Sequence, residues 1–186
     1  MGWKLGGVCI KKDFSGQELR LLRMLGMENW VYQGEISIRK ASRFDFMQTA
    51  IGVYNDCTLL INHFLPYDLS FEPDTLYEPD RHLMALSLEA DVLAFLMDGT
   101  SGTYFFSCYR AGRRIRLRHT QPGEVLADTG TPFAIEANFD PQKSQDENRI
   151  FRLLEMFVGV APEIWLMDET FCLNVYAPAE EQESGI

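Results

Sequence analysis

The densest chemistry in this chain is basic. Arg110, Arg113, Arg114, Arg116, Arg118 and His119 place six basic side chains within ten residues, in a sequence that has only 17 Lys and Arg. Side chains alternate between the faces of a β-strand, so Arg114, Arg116 and Arg118 are expected on one face, with Ile115 and Leu117 toward the core. Such a row can form a positive ridge for an anionic ligand or an acidic partner surface, because guanidinium forks pair well with carboxylate and phosphate. It can equally be a solvated sheet face whose arginines pair across strands with the protein's own carboxylates. Arg114, Arg116 and Arg118 are therefore the candidate binding residues.

A second motif is Val125-Leu126-Ala127 running into Asp128-Thr129-Gly130-Thr131. An apolar strand ending in Asp-Thr-Gly-Thr resembles the catalytic loop of the aspartic proteases, where two carboxyls share one proton. The resemblance implies Asp128 as the catalytic carboxyl of a hydrolase. It also implies a second copy of the chain to supply the other carboxyl, and Phe157-Val158-Gly159 as the family's apolar-apolar-Gly element. The sequence after Asp128 departs from that pattern, with a polar loop and a helix where the family has a long flap hairpin. Asp-Thr-Gly is also ordinary turn chemistry at a strand end.

The other candidates are less complete. Asp98-Gly-Thr-Ser-Gly-Thr103 is glycine-rich enough to cradle a phosphate, but a strand follows it and it holds no Lys, so a β-turn accounts for the same residues. Cys108 and His119 fall in successive strands and could approach each other, although no sharp nucleophile elbow surrounds Cys108. Glu72, Asp74, Glu78 and Asp80 cluster in a proline-rich stretch, and Asp168-Glu169 follow Trp165. Neither group has the ordered spacing of a calcium loop. The four cysteines, at 9, 57, 108 and 172, include no Cys-x-x-Cys pair, and the three histidines stand apart in sequence. Reduced, buried thiols are expected, with no metal and no cofactor.

Composition limits the classes of function. The formal net charge of -10 opposes the phosphate backbone, so nucleic-acid binding is disfavoured. No apolar run reaches the ~18 residues of a membrane span. The N-terminal residues lack a signal peptide's apolar length, and Gly6 stands where a myristoylation pattern needs Ser or Thr. A cytoplasmic protein is expected.

These residues must be positioned by strands and a few helices. Trp3 to Ile10 reads as a strand in which Gly6-Gly7 permits close backbone approach. Ser15 to Glu18 reads as a capping box opening a helix that Gly26 stops. A strand at Gly34 to Ile38 and a short helix at Ser42 to Thr49 follow. Ile51 to Tyr54 and Thr58 to Asn62 then form a hairpin around Asn55-Asp56. Pro66 to Pro79 reads as irregular loop, and a helix runs from Pro79-Asp80 to about Glu89. Next comes a meander of four strands, Val92–Met97, Thr103–Tyr109, Arg113–His119 and Glu124–Ala127, with short connections that make neighbours antiparallel. Asn138 to Asn148 reads as a polar loop. Glu147 to Val158 is a helix with Ile150, Leu153, Leu154 and Phe157 on one face. Thr170 to Tyr176 is the last strand.

The expected fold class is α+β, a mostly antiparallel sheet with a central meander at about 91–128, packed with three to four helices. The expected organisation is one domain over 1–176 and an acidic tail over 177–186. With no complete catalytic constellation, the expected function is a non-catalytic protein-interaction or regulatory domain of bacterial type. Small acidic proteins that neutralise a basic toxin or nuclease have this composition. The alternative is a hydrolase using Asp128.

Overall fold

The computed structural model describes residues 3–43, 46–139 and 146–179. At its centre lies β1 (Lys4–Ile10), almost wholly buried. A strand can be buried on both faces when its alternate residues feed two separate cores, and here they do. Leu5 and Cys9 enter one core, Val8 and Ile10 the other. β1 pairs antiparallel with β4 (Cys57–Ile61) on one side and β5 (Val92–Asp98) on the other. A Cβ on Gly7 would collide with the Leu60 carbonyl of β4, so only glycine fits at that crossing.

The sheet grows outward from β1 in two directions. β3 (Thr49–Tyr54) reaches β4 through a tight hairpin whose Asn55 and Asp56 both take positive φ, 51° and 60°. Asn and Asp tolerate that region, and the two-residue turn demands it. On the other side β5, β6 (Thr103–Arg110), β7 (Arg113–Gln121) and β8 (Glu124–Gly130) form the expected meander. β9 (Cys172–Pro178) inserts between β3 and β2 (Trp30–Ser37). The order is β2-β9-β3-β4-β1-β5-β6-β7-β8, with β2 and β8 as the two edges.

Both faces carry helices. α4 (Asp146–Val158) and α5 (Pro162–Leu166) cover one core with Ile150, Leu154, Phe157 and Trp165, joined by α2 (Ile38–Ala41). α1 (Glu18–Met24) and α3 (Glu78–Leu86) cover the other with Leu21, Leu22, Leu83 and Leu86. No helix among the described residues is long and apolar enough to cross a membrane.

The expectation of an α+β fold, three to four helices around a central meander at 91–128, is corrected by this topology. The meander supplies only four of nine strands in one antiparallel sheet. Five α-helices are described, but three of them have seven residues or fewer, so the fold is dominated by its sheet. The cause is long-range pairing: β9 joins the sheet more than a hundred residues after the strands it contacts. Two local readings also change. Asp13, not Ser15, accepts a backbone N–H before α1, whose N-cap is Gln17 without a side-chain cap. The short helix expected at Ser42–Thr49 ends before it, with Ser42 as the C-cap of α2, and residues 44–45 lie outside the described set. Part of the expected 138–148 loop and most of the tail, residues 140–145 and 180–186, also lie outside it.

Candidate functional site

Strand alternation would put Arg114, Arg116 and Arg118 on one face. A β-bulge prevents this. Cys108 pairs with Arg116 and Tyr109 with Arg114, leaving Ile115 as an extra residue on β7. Arg114 therefore points to the face of α3, and Arg116 and Arg118 to the face of α4. The bulged backbone also explains the glycine of Asp-Thr-Gly. Gly130 has φ +82°, and a Cβ there would run into the Ile115 carbonyl.

On the α3 face, Arg114 binds a loop to the sheet. Its guanidinium donates to the carbonyls of Ser70 (3.2 Å), Glu72 (2.7 Å) and Thr75 (3.1 Å), and reaches Asp80 Oδ1 at 3.4 Å. Asp80, a member of the acidic cluster in the proline-rich stretch, is fully buried. Its Oδ1 accepts from the Tyr109 hydroxyl at 2.7 Å and its Oδ2 from the backbone N–H groups of Ser70 and Tyr77. Burial, then the Asp80 charge, pushes the Tyr109 phenol well above its ordinary pKa. Here arginine takes the place of regular secondary structure in satisfying loop carbonyls.

On the α4 face, the sequence-singled residues Arg116, Arg118 and Asp128 do meet, with three partners not singled out. Arg116 is bidentate to Glu136, Nε at 3.0 Å and Nη2 at 2.7 Å, and donates to the Thr129 carbonyl at 2.8 Å. Arg118 Nε donates to Asp146 at 2.8 Å, and the same carboxylate accepts from the Thr120 hydroxyl. Asp128 bridges Arg116 and Arg118 from the edge strand. The side chains of both arginines are 1 % exposed, so neither forms an open ridge, whereas Asp128 keeps 32 % of its side-chain surface. Burial lowers the Arg116 pKa, but its bonds to Glu136 and Asp128 outweigh this and leave it raised. The sixth member, Arg149, lies one turn into α4. Burial, then repulsion from Arg118, lowers its pKa.

This layer is bordered by a cleft of about 420 Å³, lined by Arg116, Asp128, Phe133, Glu136, Phe139 and Arg149. A larger cleft of about 1020 Å³ lies beside it between α4 and α5, where Arg152 is already paired with Glu155 at 2.7 Å. Asp128 is placed at the mouth of the smaller cleft, but its partners are guanidinium groups. An aspartic-protease dyad needs a second carboxyl in that position.

Three other sequence candidates separate. Cys108 faces the α4 core while His119 stacks on Phe71 on the opposite face, ring centroids 4.4 Å apart. Burial lowers the His119 pKa and raises that of Cys108. The Gly-rich loop is a turn in which Asp98 Oδ1 accepts the N–H groups of Thr100 and Ser101. Of the cysteines, 9, 57 and 108 are buried, and Cys172 is exposed.

In sequence Asp146 reads only as a cap for the helix at Glu147 to Val158, and Glu136 and Arg149 belong to no motif, although a signal was present. Asp146, Arg149, Ile150 and Leu153 fall at i, i+3, i+4 and i+7, so two charged residues occupy the buried stripe of α4. Charges on an apolar stripe require partners in the core, and β7 carries the complement. No family model matches the chain, and no curated protein or solved structure matches it either.

Proposed function

We propose that this chain is a non-catalytic protein-interaction domain that contacts its partner along the β8 edge. The observation that carries the reading is the exposure of Val125 and Leu126, 41 % and 44 %, on the outermost strand. Adjacent large apolar side chains left in water on an edge strand are a feature that soluble proteins usually avoid or cover. A register shift opposite His119 and Thr120 leaves Leu126 as an extra residue in β8. A bulge discourages addition of a further strand, so the contact is made by side chains rather than by extending the sheet. The charge of -10 favours a basic partner, and the association should weaken as salt rises.

The mutual pairing of Arg116, Arg118 and Asp128 supports a structural role for these groups. Under the alternative reading, Asp128 is a hydrolytic carboxyl reached through the cleft mouth.

One experiment separates the two. A photo-crosslinking amino acid is placed at Val125, and separately at Leu88, which is 72 % exposed elsewhere on the surface, in the full chain expressed in its native cells. A discrete adduct from position 125, absent from position 88 and lost with Leu126→Lys, is expected. Equal labelling from both positions overturns the proposal. Peptidase activity abolished by Asp128→Asn establishes the hydrolase instead.

A further inference from the structure

The six charges on the α4 face are not equally satisfied. Three arginines and three carboxylates sum to zero, yet Arg116 and Arg118 hold all three carboxylates at hydrogen-bond distance. Arg149 stands 3.9 Å from both Glu136 and Asp146, too far to bond either. Its side chain is 3 % exposed, and its Nε has no hydrogen-bond partner among the described residues. A buried guanidinium N–H left without an acceptor in a desolvated site is costly. Phe139 covers one face of the group, 5.3 Å from its ring centroid, which leaves the donor-bearing rim to be satisfied. Arg149 lines the 420 Å³ cleft, whose other walls include Pro132, Phe133, Ala134 and Ala137.

We propose that this cleft binds a small organic carboxylate with an apolar body, received by the Arg149 guanidinium. The ligand's planar carboxylate matches the guanidinium fork, which can hold it through two parallel bonds. Its apolar body lies against Phe133 and the neighbouring Pro and Ala walls, as in most small-molecule sites. Because the three carboxylates already balance the three arginines, each added negative charge is opposed, and a monoanion is opposed less than a dianion. Glu136, Asp146 and Asp128 oppose a second negative charge at short range, so phosphate dianion is excluded where carboxylate is accepted. The proposal is independent of the β8 contact, and neither requires the other.

The test is calorimetric titration of the full chain with 3-phenylpropionate, N-acetylphenylalanine, 3-phenylpropionamide and inorganic phosphate. The first two carry the same carboxylate as a free acid and as a chain end, and whichever binds tighter identifies the source. Both carboxylates should bind saturably, while the amide and phosphate bind at least about tenfold more weakly, the scale of one charge-assisted bond. Arg149→Met keeps the apolar stem, removes the donors and should weaken the carboxylates by about tenfold or more. Ala134→Trp leaves Arg149 intact and should block the cleft, providing a second readout if Arg149→Met fails to fold. Absence of saturable carboxylate binding up to about 10 mM overturns the proposal. Binding unchanged by Ala134→Trp, or by a folded Arg149→Met, overturns it as well.

Discussion

Replacing Glu136 by Gln tests how the α4 face is held together. Glu136 is buried, accepts both Nε and Nη2 of Arg116, and takes the Phe133 backbone N–H at 2.8 Å through the same Oε1. Gln has the same shape, so the substitution opens no cavity. It removes one charge and presents an amide N–H₂ to a guanidinium that has no acceptor to offer it. Removing one partner of a buried ion pair costs about 3–5 kcal/mol, because the remaining charge stays desolvated. Asp128 and the Thr129 carbonyl still hold Arg116, so the lower bound of about 3 kcal/mol is the better expectation. With a urea m-value of about 2 kcal/mol/M, the midpoint should fall by about 1.5 M at unchanged slope. The pair Arg116→Met with Glu136→Leu removes both charges and should recover most of that loss, since an apolar pair of similar volume replaces a buried ion pair with little penalty. The assay is equilibrium urea unfolding followed by tryptophan fluorescence, run as a double-mutant cycle. A midpoint shift of less than about 0.3 M for Glu136→Gln would refute the reasoning, as would a double variant less stable than either single one.

Three further outcomes are expected. Arg114→Met should expose residues 70–77 to limited proteolysis and fast hydrogen exchange while leaving exchange in α4 unchanged, because its bonds lie on the other face of the sheet. Among the four thiols of the native protein, Cys172 alone should react rapidly with a thiol reagent, and the remaining three only on unfolding. Burial depresses the His63 and His119 pKa values below those of the unfolded chain, so the unfolded state binds protons first as pH falls. Stability should therefore be fully present above pH ~6.5 and decline below it toward the folded pKa values. His119→Phe, which retains the stack on Phe71, should flatten that slope in melts recorded at pH 7.5 and 5.5; an unchanged slope would remove His119 from the explanation.

Much of the local structure was legible from sequence because its causes are local. The Asn55-Asp56 hairpin, the Gly26 helix stop and the four meander strands follow from turn residues and short-range periodicity, and each is found at or within a few residues of its expected place. Arg116, Arg118 and Asp128 were legible as unusual for the same reason, being concentrated charges in otherwise apolar strands. What could not be read was where those charges point and what meets them. One extra residue at Ile115 sends Arg114 to the opposite face from Arg116, and period-two reasoning has no means of locating a bulge. Asp80, Glu136 and Asp146 reach β6 and β7 only after their own segments fold back across the sheet, over separations of 20 to 34 residues.

The sequence by itself therefore determined the strands, the turns and the surplus of arginine in β7. Tertiary structure alone decided that the nine strands would join in one sheet in this order, because β9 must cross most of the chain to pair with β2 and β3. It also decided that the arginine row is buried rather than displayed. A charge can enter the core only where its counter-charge arrives, and that meeting depends on packing between distant segments.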